Sequence, residues 1–305
     1  MYLEVSYIGS ACGKNRYEPT IKTILLLLAR HNPPVIKKLL FEYGIIVESG
    51  DDKVYDTELK NIYSVYKKKI TDVSTIDNVK DEIIKKLKSE NKEMTDEDIS
   101  VANNFLESSI KKDCGNNNES SVIQSKMYTK GNNFMYRKTP WDHLPGYRGH
   151  QALEWEIRGF HDASHGDIVI EIKTRMKRVN VRKNEYDLYQ LFGYLLVMDK
   201  TKGKIVQKFQ DEIFDSDTEN SSEFGIIDIS LDKWATKFDK FKQELYSFFE
   251  KVDAICDDIE YNIHDYMVDF KNVINRSNDF PIAKIYKGVP RNVNNNYEKL
   301  IKTLF

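Results

Sequence analysis

Asp162, Glu171 and Lys173 are the residues of this 305-residue chain whose types and spacing could do chemistry. Glu171 and Lys173 stand two apart in "DIVIEIKT", directly after the apolar run Ile168-Val169-Ile170. In an extended strand side chains alternate, so both would point to one side and Ile172 to the other. Asp162 lies nine residues before Glu171, at the end of a preceding strand in "RGFHD". A short hairpin would bring its carboxylate next to Glu171. Two close carboxylates repel unless a cation neutralises them. A hard divalent ion such as Mg²⁺ is the natural partner, because it takes oxygen ligands and keeps several waters. One such water, with its pKa lowered, can attack a phosphodiester, and a lysine beside it can orient that water and steady the developing charge.

Taken alone, an E-x-K is often no more than a solvated strand end. The flanks add to it. A helix is expected from about Glu185 to Met198, with Leu188, Leu191, Leu195 and Leu196 on one face and Gln190 and Tyr194 one above the other on the other face. The intervening "RMKRVNVRK" (175–183), which begins at Arg175, reads as a cationic strip able to follow a DNA backbone. Other polar residues carry less. Asp167 would share the Glu171 face at the opposite end of the strand. Glu154 and Glu156 read as the solvated face of the preceding strand, and His161 and His165 as turn residues.

"GFHD…VIEIKTR…YQLFGY" resembles the PD-(D/E)xK nuclease superfamily. The Gln190-x-x-x-Tyr194 pair resembles its subset that includes RecB-type nuclease domains and the YqaJ (lambda exonuclease) family. "YIGSACGKNRYEPTIKTILLLLARHNPP" looks like the opening of YqaJ-type recombinases, and "YGIIVES" is similar to that family's G-x-x-x-E segment. "EIKTRM…NEYDLYQLFGYLLVM" looks closest to the YqaJ-type nucleases of large cytoplasmic DNA viruses.

The resemblance implies a Mg²⁺-dependent deoxyribonuclease (Mn²⁺ substituting), a 5′-to-3′ exonuclease on duplex DNA acting in viral recombination, repair or replication. Asp162 and Glu171 would bind the metal, with Glu48 as a third acid and the Ile172 carbonyl as a backbone ligand. Lys173 would orient the attacking water. Gln190 would hold the water, Lys173 or the DNA, and Tyr194 would pack behind or touch the DNA backbone. Ser10 and Arg16, helped by Lys14, would hold a 5′-phosphate end. An annealing protein for single strands and further copies of the chain are the implied partners, and a viral source would place the protein in the host cytoplasm. An endonuclease or structure-specific nuclease on the same fold, or a non-catalytic DNA-binding protein that has kept the motif, are the alternatives. The separation of Glu48 from Asp162, 114 residues, is longer than in the phage enzyme.

The elements expected to position these residues form an α/β fold: a restriction-endonuclease-like core with a mixed central sheet flanked by helices and a helical insertion. The chain reads as one nuclease domain over 1–305. Its parts are an N-terminal phosphate-binding and helical part (1–50), a polar helical insertion (about 50–145), a catalytic core (about 146–256) and an extension (about 257–305). In the first part, a helix around Ile21 to His31 precedes a break at Pro33-Pro34. "ALEWEIRGF" and "DIVIEIKT" read as neighbouring strands joined by the turn "HDASHG", "GKIVQKF" and "FGIIDIS" as two more, and "DCGNNNESS" (113–121) as a loop. Trp234, Phe238, Phe241, Leu245, Phe248 and Val252 mark a long amphipathic helix whose aromatics are core.

Composition narrows the class. With 40% hydrophobic and 31% charged residues and a net charge of −2, the chain reads as an ordinary globular protein. Cys12, Cys114 and Cys256 form no C-x-x-C pair, which argues against a disulfide framework or a zinc knuckle and suits a reducing, intracellular compartment. The longest apolar run, "TILLLLA" (23–29), is too short to span a bilayer, and "MYLEVSYIGS" lacks the regions of a signal peptide.

Overall fold

The computed structural model describes residues 1–16, 18–42, 54–66, 76–90, 95–131, 135–138, 155–175, 184–209, 212–214 and 227–276. In chain order these form β1 (Tyr2–Glu4), a 3₁₀ turn (Val5–Tyr7), α1 (Ile8–Ala11), α2 (Thr20–His31), α3 (Pro33–Glu42), α4 (Val54–Tyr66), α5 (Ile76–Glu90) and α6 (Asp96–Ser125). There follow β2 (Thr129–Lys130), β3 (Met135–Lys138), β4 (Glu156–Gly159), β5 (Ala163–His165), β6 (Ile168–Arg175), α7 (Glu185–Met198), β7 (Lys202–Phe209), β8 (Glu212–Phe214) and β9 (Ile227–Ser230). The last helices are α8 (Leu231–Asp257), α9 (Ile259–Asn262) and α10 (His264–Arg276). The architecture is mixed α/β, a mixed sheet flanked by helices.

Two compact units make up the chain: Met1–His31 with Glu119–Tyr266, and Asn32–Asn118 with Met267–Phe305. Boundaries thus fall at 31/32, 118/119 and 266/267, where the sequence reading drew one domain with an insertion at about 50–145.

The first unit holds the sheets. β6 is its central strand. Its middle, Val169 to Ile172, is buried, as the continuous apolar run of a strand covered on both faces requires. β6 pairs in parallel with β7 along its whole length, from Ile168 opposite Lys202 to Arg175 opposite Phe209. It pairs antiparallel with the three residues of β5, and β2 pairs with β5 beyond. The far edge of β7 is shared: β9 pairs with Lys202–Ile205 and β8 with Gln207–Phe209. A separate three-stranded sheet has the order β1-β4-β3.

Because Cβ directions alternate, the two faces of β6 bury different partners. Ile170 and Ile172 join Ala163 and Val206 in a cluster covered by Val122 and Ile123 from the end of α6. Glu171 and Lys173 fall on the opposite face, where α7 packs over β6 and β7. A parallel pair needs such a crossover, and α7 supplies it. The Asn184 side chain caps α7 by accepting from the Tyr186 N–H, and Asp199 in the left-handed conformation ends it. Leu188, Leu191, Phe192 and Leu195 are almost fully buried; each such side chain contributes about 1.5–3 kcal/mol. A Cβ on Gly193 would come within 2.5 Å of Ile8 Cδ1, so glycine there lets the Val5–Ala11 segment lie directly on α7. On α8, Phe241, Leu245, Phe248 and Val252 are buried core, and Trp234 and Phe238 pack their rings on Phe192.

The second unit is helical in its described part. Its long helix α6 corrects the loop expected at 113–121, which is helical throughout. Asn and Gly are weak helix formers, but here packing decides: Ala102, Leu106, Ile110, Cys114 and Asn118 form a buried row at helical spacing. Tyr63 of α4 also donates a 2.5 Å hydrogen bond to the buried Asp113. The Pro33-Pro34 pair, expected as a break, begins α3, where missing N–H groups go unneeded. No helix among the described residues is long and apolar enough to cross a membrane.

Candidate active site

Asp162 and Glu171 meet across the β5–β6 hairpin. Gly166 (φ 58°) turns the chain, a left-handed conformation that glycine adopts without steric cost. Ala163 then faces Ile170, and one step further along the register Asp162 lies across from Glu171. Asp162 is fixed on two sides. Its Oδ2 accepts the Ile172 N–H at 2.7 Å, and its carbonyl accepts the Gly131 N–H at 3.0 Å. So Ile172 serves Asp162 through its amide, where the sequence reading assigned only its carbonyl. The hairpin partner also differs from expectation. "ALEWEIRGF" supplies β4, which belongs to the other sheet, and the strand beside β6 is β5, inside the segment expected to be a turn. Asp162 therefore stands immediately before the partner strand rather than at the end of the previous one.

Lys173 is held by two acceptors and faces a third carboxylate. Its Nζ lies 2.5 Å from Glu171 Oε1, donates to Gln190 Oε1 at 2.8 Å and stands 4.0 Å from Asp187 Oδ1. Burial pulls the ammonium's pKa down, but Glu171, Asp187 and Asp162 outweigh it, and the net shift is upward, toward a fixed positive charge. The carboxyls shift upward too. Burial raises Glu171 first and Asp162 adds to it, with Lys173 opposing. Burial also raises Asp162, with Lys173 opposing and Glu119 adding. Glu171 is 1% exposed, and its Oε2 is buried with no hydrogen-bond partner.

Two residues of this constellation were missed from sequence. Asp187, in the first turn of α7, is buried; there it looks like an ordinary helix-dipole acid. It accepts from Arg175 Nη2 at 2.6 Å and faces Lys173. Glu119, near the end of α6, couples electrostatically to Asp162, Glu171 and Lys173, and burial and Glu171 raise its pKa. It stood inside the expected loop, so only the fold could bring it here.

The remaining expected site residues are placed as follows. Arg175 donates through Nε to Gln207 (2.6 Å) as well as to Asp187, which ties β6 to β7 and α7. It is an internal tie; the rest of the expected DNA-following strip, 176–183, lies outside the described residues. Tyr194 is 5% exposed and donates from its hydroxyl to the Phe160 carbonyl at 2.5 Å. Of its two expected roles, packing behind the site matches this placement, and contact with DNA does not. Ser10 is fully buried, its hydroxyl accepting from Asn15 (3.2 Å) and its carbonyl from Thr20 (2.9 Å). Lys14 pairs with Glu244 of α8 at 3.0 Å, above the ring of Tyr189. Arg16 is exposed. Glu48 lies outside the described residues.

Among the described residues no group of three or more His, Cys, Asp or Glu side chains is gathered to hold a metal ion. The donor set at the hairpin is the pair Asp162 and Glu171, with one buried carboxylate oxygen lacking a partner. That set suits a small hard cation, which takes one or two carboxylates, keeps several waters and draws its remaining ligands from a phosphate.

No protein-family profile matches the chain, and no curated protein matches it. Among solved structures, one titled "Crystal structure of SSO0001" is 21% identical, covers 54% of this chain and 69% of its own, and superposes with a TM-score of 0.31.

Proposed function

We propose that this protein is a Mg²⁺-dependent deoxyribonuclease of the PD-(D/E)xK type, similar to the YqaJ nucleases, that hydrolyses phosphodiester bonds of DNA. One observation carries the reading: two carboxylates whose pKa values are raised, first by burial and then by a neighbouring acid, one with an unpartnered buried oxygen, beside a lysine held positive. A fold gains little from such an arrangement, because a buried polar atom left without a hydrogen-bond partner costs about 1–3 kcal/mol. Perturbed acids gathered with a cation are more often found where chemistry is done.

Asp162 and Glu171 would hold the cation, Mg²⁺ or Mn²⁺. When bound, it would offset the two negative charges and lower the pKa of a water. Lys173 places a fixed positive charge within reach of the phosphate, where negative charge grows during attack. Gln190 directs the ammonium by accepting one of its protons. Asp187 supports it from the far side, and Arg175 holds Asp187 in place. Tyr194 locks the chain that leads into Asp162. None of these three needs to touch DNA.

Exonuclease action from a 5′-phosphate end is the first reading, by resemblance of the N-terminal segment. An endonuclease is the second, and the placement of Ser10 and Lys14 favours it. A buried serine and a lysine already paired with Glu244 leave Arg16 as the exposed cation of that segment. The deciding experiment incubates end-labelled linear duplex and closed circular duplex with the full chain, in Mg²⁺ or in EDTA. Loss of linear DNA alone, in Mg²⁺ alone, supports the exonuclease; nicking of circles supports the endonuclease; no cleavage of either removes the nuclease reading.

A further inference from the structure

We propose that Glu119 is the group that takes the proton from the attacking water. The inference rests on the nuclease reading above and deepens it by assigning a further catalytic residue.

Glu119 begins the part of α6 that belongs to the first unit. Val122 and Ile123 follow it at the spacing that places all three on one side of the helix. Those two side chains pack with Ala163, Ile170 and Ile172, which turns that side of α6 toward the hairpin. The chain then reverses at Met127 (φ 53°) and returns along β2. β2 pairs Lys130 with Ala163, and the next N–H, that of Gly131, donates to the Asp162 carbonyl. Glu119 lies about 9 Å back along the helix from Ser125, and Gly131 about 7 Å along the strand from Thr129. Helix and return strand therefore bring Glu119 and Gly131 to the Asp162 end of the hairpin. The electrostatics agree: the charge of Glu119 acts on Asp162 and Tyr194, and its own carboxyl feels Glu171 and Lys173.

Attack by water joins the water oxygen to phosphorus and breaks the bond to one sugar oxygen. The electrons of that bond leave with the sugar oxygen, which takes a proton from solvent. The attacking water gives up a proton of its own, which needs an acceptor at the site. The groups already placed there are committed. Lys173 is held positive. Asp162 Oδ2 accepts from Ile172 and Glu171 Oε1 pairs with Lys173, and both acids would hold the cation. Gln190 accepts from Lys173, Asp187 accepts from Arg175, and Tyr194 donates to Phe160. Glu119 differs. It is half-buried and makes no hydrogen bond or ion pair among the described residues. It is not gathered with Asp162 and Glu171 into a group of three around one ion, so it stands beside the donor pair. Burial, then Glu171, raises its carboxyl pKa, with Lys130 and Lys173 opposing; a base whose pKa lies nearer the working pH takes a proton more effectively.

The test compares the full chain with its Glu119→Gln and Glu119→Ala variants on linear duplex DNA in Mg²⁺. Glu119→Gln should lower the rate about a hundredfold or more, the usual share of a positioned base. DNA affinity should be unchanged, and so should the rise in melting temperature that Mg²⁺ gives. Glu119→Ala should regain rate when formate is added, because a small free carboxylate can enter the space left; Glu119→Gln, whose amide fills that space, should not. Melting in EDTA checks that each variant folds. Retention by Glu119→Gln of more than about a tenth of the rate, less than such a base supplies, overturns the proposal. So does a lost Mg²⁺ melting shift, which would make Glu119 a metal ligand, or a Glu119→Ala rate indifferent to formate. Each of these leaves cleavage by the unmodified chain, and with it the nuclease reading, in place. Absence of cleavage by the unmodified chain in Mg²⁺ removes both.

Discussion

The amide oxygen of Gln190 accepts a 2.8 Å hydrogen bond from Lys173 Nζ, joining the crossover helix to the strand that carries the acids. Lys173→Ala should abolish cleavage while leaving DNA binding largely intact, because it removes a charge used in the reaction rather than in docking. More than about a tenth of the activity remaining, about 1.4 kcal/mol of barrier or less, would show the role to be misassigned. Gln190→Ala should lower the rate by about tenfold, the size of one hydrogen bond to a charged group, with the Mg²⁺ dependence unchanged. Rates over a Mg²⁺ series check both.

Glu171→Gln should remove the stabilisation that Mg²⁺ gives. At a hundredfold its Kd, a ligand specific for the native state adds about 2.7 kcal/mol. The unmodified chain should therefore melt at a clearly higher temperature in Mg²⁺ than in EDTA, and the variant at the same temperature in both. The direction of the Glu171 shift adds a second expectation. A carboxyl whose pKa is raised on folding opposes the fold once pH rises above the unfolded value, so the neutral isostere should melt higher than the parent in EDTA at pH 8. Melting curves of the two proteins measure both effects.

Arg175 and Asp187 should act on stability rather than on DNA affinity. Asp187→Ala leaves Arg175, 16% exposed, without one of its partners, and breaking such a pair costs about 3–5 kcal/mol. Arg175→Lys should lower the urea midpoint while changing DNA affinity less than twofold. A large loss of affinity with unchanged stability would return Arg175 to the DNA surface.

A 5′-phosphate end should be degraded faster than a 5′-hydroxyl end if Arg16 grips it. A charged hydrogen bond of about 1.5–3 kcal/mol gives a preference of roughly tenfold to a hundredfold, and Arg16→Ala should erase most of it. Initial rates on the two duplexes at one salt concentration decide; equal rates move the protein to the endonuclease reading.

Thiol chemistry offers a check on the packing of α8. Burial, then Glu244, pushes the Cys12 thiol up to about 12, with Lys14 opposing; burial, Asp253 and Asp257 push Cys256 to about 12. Cys114 is fully buried. Since the thiolate is the reactive form, raising its pKa suppresses reaction: below pH 9 the native chain should react with a thiol reagent roughly a thousandfold more slowly than the unfolded chain. Rapid reaction of one thiol in the native protein would show that this thiol is not buried as described.

What the sequence made legible follows from local signals strong enough to survive folding. The uninterrupted apolar run before Glu171 announced β6, and the helical spacing of Leu188, Leu191 and Leu195 announced α7. Short elements escaped. β1 and β5 have three residues each, and Ala163-Ser164-His165 between Asp162 and Gly166 has turn composition; only pairing with β6 makes it a strand. In α6, Asn116–Asn118 signal a loop until the buried face of the helix is known. The pairing of Asp162 with Glu171 was legible because it needs only a hairpin. Asp187 and Glu119 were not, since each reaches the site through an element whose packing no local pattern encodes.

Gln190 and Tyr194 sit one turn apart on α7, and they hold different arms of the hairpin: Gln190 the Lys173 arm, Tyr194 the chain entering Asp162. The helix is thus a gauge whose single repeat fixes the separation of acid and lysine. A gauge of this kind tolerates sliding as a body but not a change of count. One residue inserted between Gln190 and Tyr194 would rotate the second contact by about 100°, and the two arms would lose their common reference although every residue of the motif remained present. Across descendants of this chain, the length of that one turn should be held more strictly than the identity of the side chains around it.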